Sequence, residues 1–178
     1  PQIYLVDGSG YIFRAFHALP PLTRPDGTPI GAVLGFTNML IKLLKEKNPD
    51  YLIVVFDAAR KNFRNKIYPA YKANRQETPP ELIPQFSLIR EACEAFSVPY
   101  LEQEGYEADD VIGTIACKAE KEGYTTFMVT PDKDFAQLVT DKIKIYKPGL
   151  KGGDIEILGV EEVKAKKATT KKSTKKEE

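Results

Sequence analysis

Histidine occurs once in this 178-residue sequence and cysteine twice, so neither a zinc site built on those ligands nor a disulfide scaffold has the residues it needs. The lone histidine, His17, reads as a structural residue rather than a catalytic base. Cys93 and Cys117 fall inside predicted amphipathic helices, where each is expected to act as a small buried apolar side chain, without a disulfide. No apolar run approaches the roughly 18 residues of a membrane span, and the first residues lack the charged and apolar regions of a signal peptide. A cytoplasmic location and no membrane partner are therefore expected. Neither a Gly-Lys-Ser/Thr element nor a G-x-G-x-x-G spacing occurs, which disfavours a nucleoside triphosphatase or a dinucleotide enzyme and predicts no small-molecule cofactor. No internal repeat is visible.

What is present suits one compact α/β domain. Hydrophobic residues make up 42% of the chain, enough for a real core at this length but not for a second full domain. The formal net charge of +1 hides an asymmetry. Seven of the 26 basic residues and two of the 25 acidic ones lie in residues 164–178, leaving 19 basic and 23 acidic groups in residues 1–163. The body is thus mildly acidic. The Lys/Thr/Ser-rich stretch 164–178 has too little apolar surface to order itself and is expected to be a disordered basic tail. A monomer is expected.

Strand and helix patterns alternate, as in a mostly parallel sheet flanked by helices on both faces. Residues 3–6 form a short apolar run that stops at Asp7-Gly8-Ser9-Gly10, a turn signal. Val33, Phe36, Leu40, Leu43 and Leu44 recur at helical spacing before Asn48-Pro49. The near-continuous apolar run at residues 51–56 then reads as a strand covered on both faces, and it too is followed by an aspartate, Asp57. Pro79-Pro80-Glu81 marks a helix start, residues 98–101 a short strand and residues 125–129 a longer one, after which come Asp132 and Asp134. Residues 142–147 alternate apolar and polar side chains and read as an edge strand. The glycine-rich residues 148–153 read as a flexible turn before a strand at 155–158.

The densest chemistry lies in Gly105-Tyr106-Glu107-Ala108-Asp109-Asp110 and Thr130-Pro131-Asp132-Lys133-Asp134. Two carboxylates about 5 Å apart repel by about 3 kcal/mol at an effective dielectric near 20, so a fold that gathers such groups normally supplies a cation. Oxygen-only ligands point to a hard divalent ion, Mg²⁺ or Mn²⁺. In open parallel sheets the ligand crevice lies outside the carboxyl ends of the strands, where Asp7, Asp57, Asp132 and Asp134 should meet the helix-start acids in one shared metal site.

Residues 58–76 contain no acidic residue. There Arg60, Lys61, Arg64, Lys66, Lys72 and Arg75 alternate with Phe63, Tyr68 and Tyr71, a composition suited to phosphates and unpaired bases of a single-stranded or frayed nucleic-acid end. A solvated basic loop is the alternative. Arg14 is a further candidate phosphate contact.

Val6-Asp7-Gly8, Val55-Phe56-Asp57, the run from Phe63-Arg64 through Tyr71-Lys72 to Arg75, Gly105 through Asp110, and Thr130 through Gln137 together resemble the 5′-nuclease (flap endonuclease) superfamily. The closest likeness is to the bacterial DNA polymerase I 5′→3′ exonuclease domain, over roughly residues 2–165. The resemblance implies a PIN-like α/β domain that uses two divalent metals, Mg²⁺ or Mn²⁺, to hydrolyse DNA at 5′ ends and flaps. Carried over by position, it makes Asp7, Asp57, Glu107, Asp109, Asp110, Asp132 and Asp134 metal ligands or their neighbours. Asp7, Asp57, Arg64 and Lys72 are the implied catalytic group. Arg14, Arg60, Lys61, Arg64, Lys66, Tyr71, Lys72 and Arg75 are the implied DNA contacts, with the basic run as the family's helical arch. In a bacterium the site of work would be the nucleoid. Beyond about Lys166 the family's Gly-Asp-x-Ser-Asp-Asn type element and helix-hairpin-helix have no counterpart in this sequence, so weakened cutting is expected. A non-cleaving DNA- or metal-binding fragment and a PIN-like ribonuclease remain the alternatives.

Overall fold

The computed structural model describes residues 1–58, 61–148 and 155–174, and the side chains of residues 169–174 fall outside that description. Six strands form one sheet: β1 (Gln2–Asp7), β2 (Tyr51–Phe56), β3 (Tyr100–Glu102), β4 (Thr125–Val129), β5 (Ile143–Lys147) and β6 (Glu156–Leu158). Their spatial order is β3-β2-β1-β4-β5-β6, and every pair is parallel except β5 with β6. The strand order reverses between β1 and β4, and the crevice at the carboxyl ends of such a switch point is the usual ligand position. Residues 51–56 form a central strand, as their unbroken apolar run predicts.

Alternation sorts each strand's side chains to two cores. Tyr4, Val6, Val54, Phe56, Phe127 and Val129 face the first, which is covered by α1 (Gly8–Ala18), α2 (Gly31–Lys47) and α4 (Ile83–Ala95) through Ile12, Phe36, Leu40, Leu43, Ile89 and Cys93. Ile3, Leu5, Val55, Met128, Ile143 and Ile145 face the second, which is covered by α5 (Ala108–Lys121) through Ala108, Ile112, Ala116 and Ala119. A short α3 (Phe63–Ile67) lies in the basic stretch, and a 3₁₀ helix (Lys133–Leu138) follows β4. Asn48 ends α2 in the left-handed region at φ 41°, a conformation that asparagine tolerates better than most residues.

Three expectations need correction. The strand at Ile143–Lys147 is not an edge, because β6 pairs with it and takes the edge position itself. Cys117 is exposed, whereas Cys93 is buried as expected, because only the latter points at a core. The stretch from Lys164 was expected to be disordered, yet α6 spans Val160–Thr174. Its start is ordered by specific contacts: Glu162 accepts a hydrogen bond from the Gly159 amide at 2.9 Å, Val163 packs on the second core, and Lys166 pairs with Glu156. Glu161 and Glu162 also favour the helix dipole in the first turn. The glycine-rich turn expected at 148–153 lies outside the described residues apart from Pro148.

Candidate functional site

Asp7 is the last residue of β1 and caps α1, and it is only 5% exposed. One carboxylate oxygen accepts from the Gly10 amide at 2.9 Å and the other from the Thr130 hydroxyl at 2.8 Å. A side chain at Gly10 would put its Cβ 2.3 Å from Asp7 Oδ2, so this turn needs glycine to keep the carboxylate in place. Thr130 is itself buried, and its Oγ1 accepts from the Asp132 amide at 3.1 Å, which ties the ends of β1 and β4 together. Burial raises the Asp7 pKa; the Gly10 and Thr130 hydrogen bonds pull it down, and the charges of Asp57 and Asp132 push it further up.

Asp57, just past β2, accepts from the Ala108 amide at 2.6 Å and so anchors the first turn of α5. Its own amide donates to Ser9 Oγ at 2.9 Å. Asp132 caps the 3₁₀ helix by accepting from the Asp134 amide at 2.8 Å. Asp109 sits among these groups. Desolvation, followed by the charges of Asp7, Asp132, Asp57 and Glu107, pushes its pKa up to about 7, although the residue as a whole keeps an exposed face.

The remaining acids are held by the basic stretch. Arg64 on α3 makes a bidentate pair with Asp110 at 2.8 and 2.6 Å, and its Nη1 lies 3.9 Å from Glu107. Lys72 Nζ donates to both Glu107 oxygens at 2.9 and 3.1 Å. The Arg64 bond holds Asp110 below the usual carboxylate range, while Asp110 raises the Arg64 pKa. For Lys72, burial opposes the charge, but the hydrogen bonds to Glu107 and Tyr71 and the Glu107 charge together outweigh it and the pKa rises. Tyr71 packs between them, with its ring 5.9 Å from the Arg64 guanidinium carbon and 5.1 Å from Lys72 Nζ.

Glu107, Asp109, Asp110, Asp132 and Asp134 line a groove of about 910 Å³, and Arg64, Tyr71, Lys72 and Arg75 line it with them, Arg64 and Lys72 in direct contact with Asp110 and Glu107. Asp7 and Asp57 do not line it; they lie at the strand ends, and their charges reach Asp109. Among the described residues no three His, Cys, Asp or Glu side chains stand close enough together to enclose an ion. The expected shared site is therefore a neighbourhood of acids in which Asp7, Asp57, Glu107, Asp110 and Asp132 each turn to a donor of their own. The donor set still fits a hard divalent cation: it is all oxygen, and the charges of neighbouring acids add to burial in raising the pKa values of Asp7 and Asp109.

The other expected contacts are dispersed. Arg14 lies on α1 with its guanidinium carbon 6.0 Å from the Tyr11 ring and does not line the groove, and His17 is exposed in the last turn of that helix. Lys61 and Lys66 are exposed, also off the groove lining, and Arg60 lies outside the described residues. Sequence reading missed Asn62, Ser9, Thr130 and Gln85 as supports. Buried Asn62 caps α3 by accepting from the Arg64 amide at 2.8 Å and donates to Glu107 at 2.9 Å. Its place just ahead of a short helical run, with Asn65 three residues on, was the one local signal.

This sheet, with acids at the carboxyl ends of its central strands and a basic segment facing them, is the 5′-nuclease fold. The chain belongs to the family of the 5′-3′ exonuclease N-terminal resolvase-like domain, whose pattern it matches over residues 2–168. It is 56% identical to the DNA polymerase I of Rhizobium leguminosarum over 153 residues, which are 82% of this chain and 15% of that protein. It is 43% identical to a 5′-3′ exonuclease of Aquifex aeolicus (strain VF5) over 146 residues, 82% of this chain and 50% of that protein. The chain thus spans half or less of these relatives. Among solved structures, the T5 5′-exonuclease with bound divalent metal ions (zinc) superposes with a TM-score of 0.64 at 25% identity, covering 83% of this chain and 55% of that one.

Proposed function

We propose that this chain is the metal-dependent part of a 5′→3′ exonuclease and flap endonuclease, hydrolysing phosphodiester bonds in DNA near 5′ ends. The observation that carries this reading is one groove lined both by carboxylates and by Arg64, Tyr71, Lys72 and Arg75. Such a pairing suits a phosphate brought to a hard cation. Asp7, Asp57, Glu107, Asp109, Asp110, Asp132 and Asp134 would hold Mg²⁺ or Mn²⁺, which when bound supplies Lewis acidity and an activated water. Thr130 and Gly10 fix the Asp7 carboxylate, and Asp57 fixes the start of α5, so the acids are positioned before substrate arrives. Arg64 and Lys72 neutralise Glu107 and Asp110 in the free protein and exchange those carboxylates for phosphate oxygens when DNA enters. Tyr71 offers a ring face to a base. No side chain is asked to act as a nucleophile.

Binding without cleavage is the second reading, favoured by the lack of any three acids arranged around one point among the described residues. Labelled 5′-flap DNA and an RNA of the same sequence, each incubated with Mn²⁺, Mg²⁺ or chelator, decide the matter. Metal-dependent cutting of DNA but not RNA is expected, stronger with Mn²⁺ than with Mg²⁺. Retention of DNA with no cutting under any metal supports the second reading, and cutting of RNA alone overturns the first.

A further inference from the structure

The groove does not stop at the acids. Its floor continues along α5 through Gly113, Thr114 and Cys117 to Lys118 and Lys121. At 100° per residue, Asp110, Thr114, Cys117 and Lys121 form one narrow stripe with Lys118 at its margin, while Ala108, Ile112, Ala116 and Ala119 face the opposite way into the core. At 1.5 Å per residue, Lys118 and Lys121 lie about 12 and 16 Å along the helix from Asp110. The floor between them is made of small side chains, and Gly113 lets Leu138 of the 3₁₀ helix close against α5, since a Cβ there would come within 3.1 Å of Leu138 Cδ1.

The two ends of this stripe differ in charge state. Arg64 and Lys72 are paired with carboxylates, whereas Lys118 and Lys121 are exposed and take part in no ion pair among the described residues. A DNA strand passing Glu107, Asp109, Asp110, Asp132 and Asp134 meets like charge there. Two unpaired lysines further along the same floor supply the opposite sign where the strand leaves.

We propose that Lys118 and Lys121 form a second phosphate-binding position, holding the backbone of a DNA strand a few nucleotides from the bond to be cut. The inference rests on the DNA-nuclease reading above. A separation of 12–16 Å corresponds to about four phosphates of a strand in duplex geometry, at 3.4 Å each, and to fewer of an extended one. Lysines in a last turn also favour the helix dipole, but that role is worth only tenths of a kcal/mol of stability and is indifferent to DNA.

The test measures binding of a fluorescent 5′-flap duplex in Mg²⁺ by anisotropy, with every protein carrying Asp7→Asn so that the strand stays intact. Adding Lys118→Ala/Lys121→Ala should reduce the slope of log K against log salt by about 1.4, at about 0.7 per single-strand phosphate contact. The melting temperature should stay within about 1 °C. A scan of neutral methylphosphonate linkages should find one or two positions that weaken binding to the parent but not to the lysine-less variant. An unchanged slope, or methylphosphonate losses identical in both proteins, overturns the inference. If the parent binds DNA and Lys72→Ala weakens it while the α5 substitutions do nothing, the nuclease reading stands and only this inference falls. If the parent does not bind DNA at all, both fall.

Discussion

The acids at the strand ends and the acids at the start of α5 are held in opposite ways. Asp7 and Asp57 accept from backbone amides and a buried hydroxyl, donors that the fold itself fixes. Glu107 and Asp110 also accept from Asn62 and from the Glu107 amide, but their charge is met by Arg64 and Lys72, long cations from a separate segment. The first arrangement sets geometry but leaves negative charge uncompensated, and burial first, then the neighbouring acids, makes Asp7 and Asp109 harder to ionise. The second neutralises charge with partners that can leave. A cleft prepared for both a cation and a polyanion needs each kind: acids that cannot move, and cations that can be traded.

The largest effect should come from breaking the fixed half. Asp7→Asn keeps the shape and an acceptor for the Gly10 amide but removes the charge, and should reduce flap-DNA cleavage to background while leaving the metal-free melting temperature equal or higher. Gly10→Ala should come next. Its Cβ, 2.3 Å from Asp7 Oδ2, displaces the carboxylate, and a shift of about 1 Å in such a group costs roughly 10²-fold in rate. Full activity in Gly10→Ala would show that the position of Asp7 is not critical.

Breaking the exchangeable half should act on binding more than on stability. Arg64→Ala and Lys72→Ala should each weaken DNA binding and reduce its salt slope by about 0.7 to 0.9. Partly exposed ion pairs contribute at most about 1 kcal/mol, so the melting temperature should drop by no more than about 2–4 °C. Unchanged DNA binding in both would remove these residues from the interface.

The smallest effects concern charge alone. Saturating Mg²⁺ or Mn²⁺ should raise the melting temperature of the intact chain, because binding only to the folded form stabilises it by mass action. Asp132→Ala/Asp134→Ala should abolish that rise. Without metal, Asp109 has a folded pKa of about 7, raised above its unfolded value near 3.8. The folded form therefore binds more protons between those values, and stability should decline as pH rises from about 4 to 7. Asp109→Asn should flatten that part of the metal-free melting curve against pH, and an unaltered slope would mean that Asp109 is neither desolvated nor crowded by its neighbours.

Much of this was legible because the signals are local. The unbroken apolar run at 51–56 and the Thr-Thr-Phe-Met-Val run at 125–129 are strands, and acids beside them mark the carboxyl edge of the sheet. The register that brings Asp7, Asp57 and Thr130 together is set by parallel pairing across long separations, which no local pattern encodes. Gln85 illustrates the limit. From α4 it accepts from the Ala32 and Val33 amides at 2.8 and 3.2 Å and so satisfies the start of α2, yet it reads in sequence as an ordinary polar residue. The same holds for Arg64 and Lys72: their charge predicted a partner, but not that the first partners would be the acids themselves. The order of α6 was missed because composition alone says nothing of Val163 reaching the core.

The basic segment is moored at both ends. The Phe63 amide donates to the Gly105 carbonyl at 2.8 Å and Asn62 holds Glu107, while beyond the exposed turns at residues 68–76, Gln85 ties the start of α4 to α2. A protease that nicks those turns would produce two fragments sharing one sheet, for β1 and β2 from the first are flanked by β3 and β4 from the second. The pieces should stay together through gel filtration and, if expressed separately, reassemble, which makes the turns a natural place to split the protein into two complementing halves.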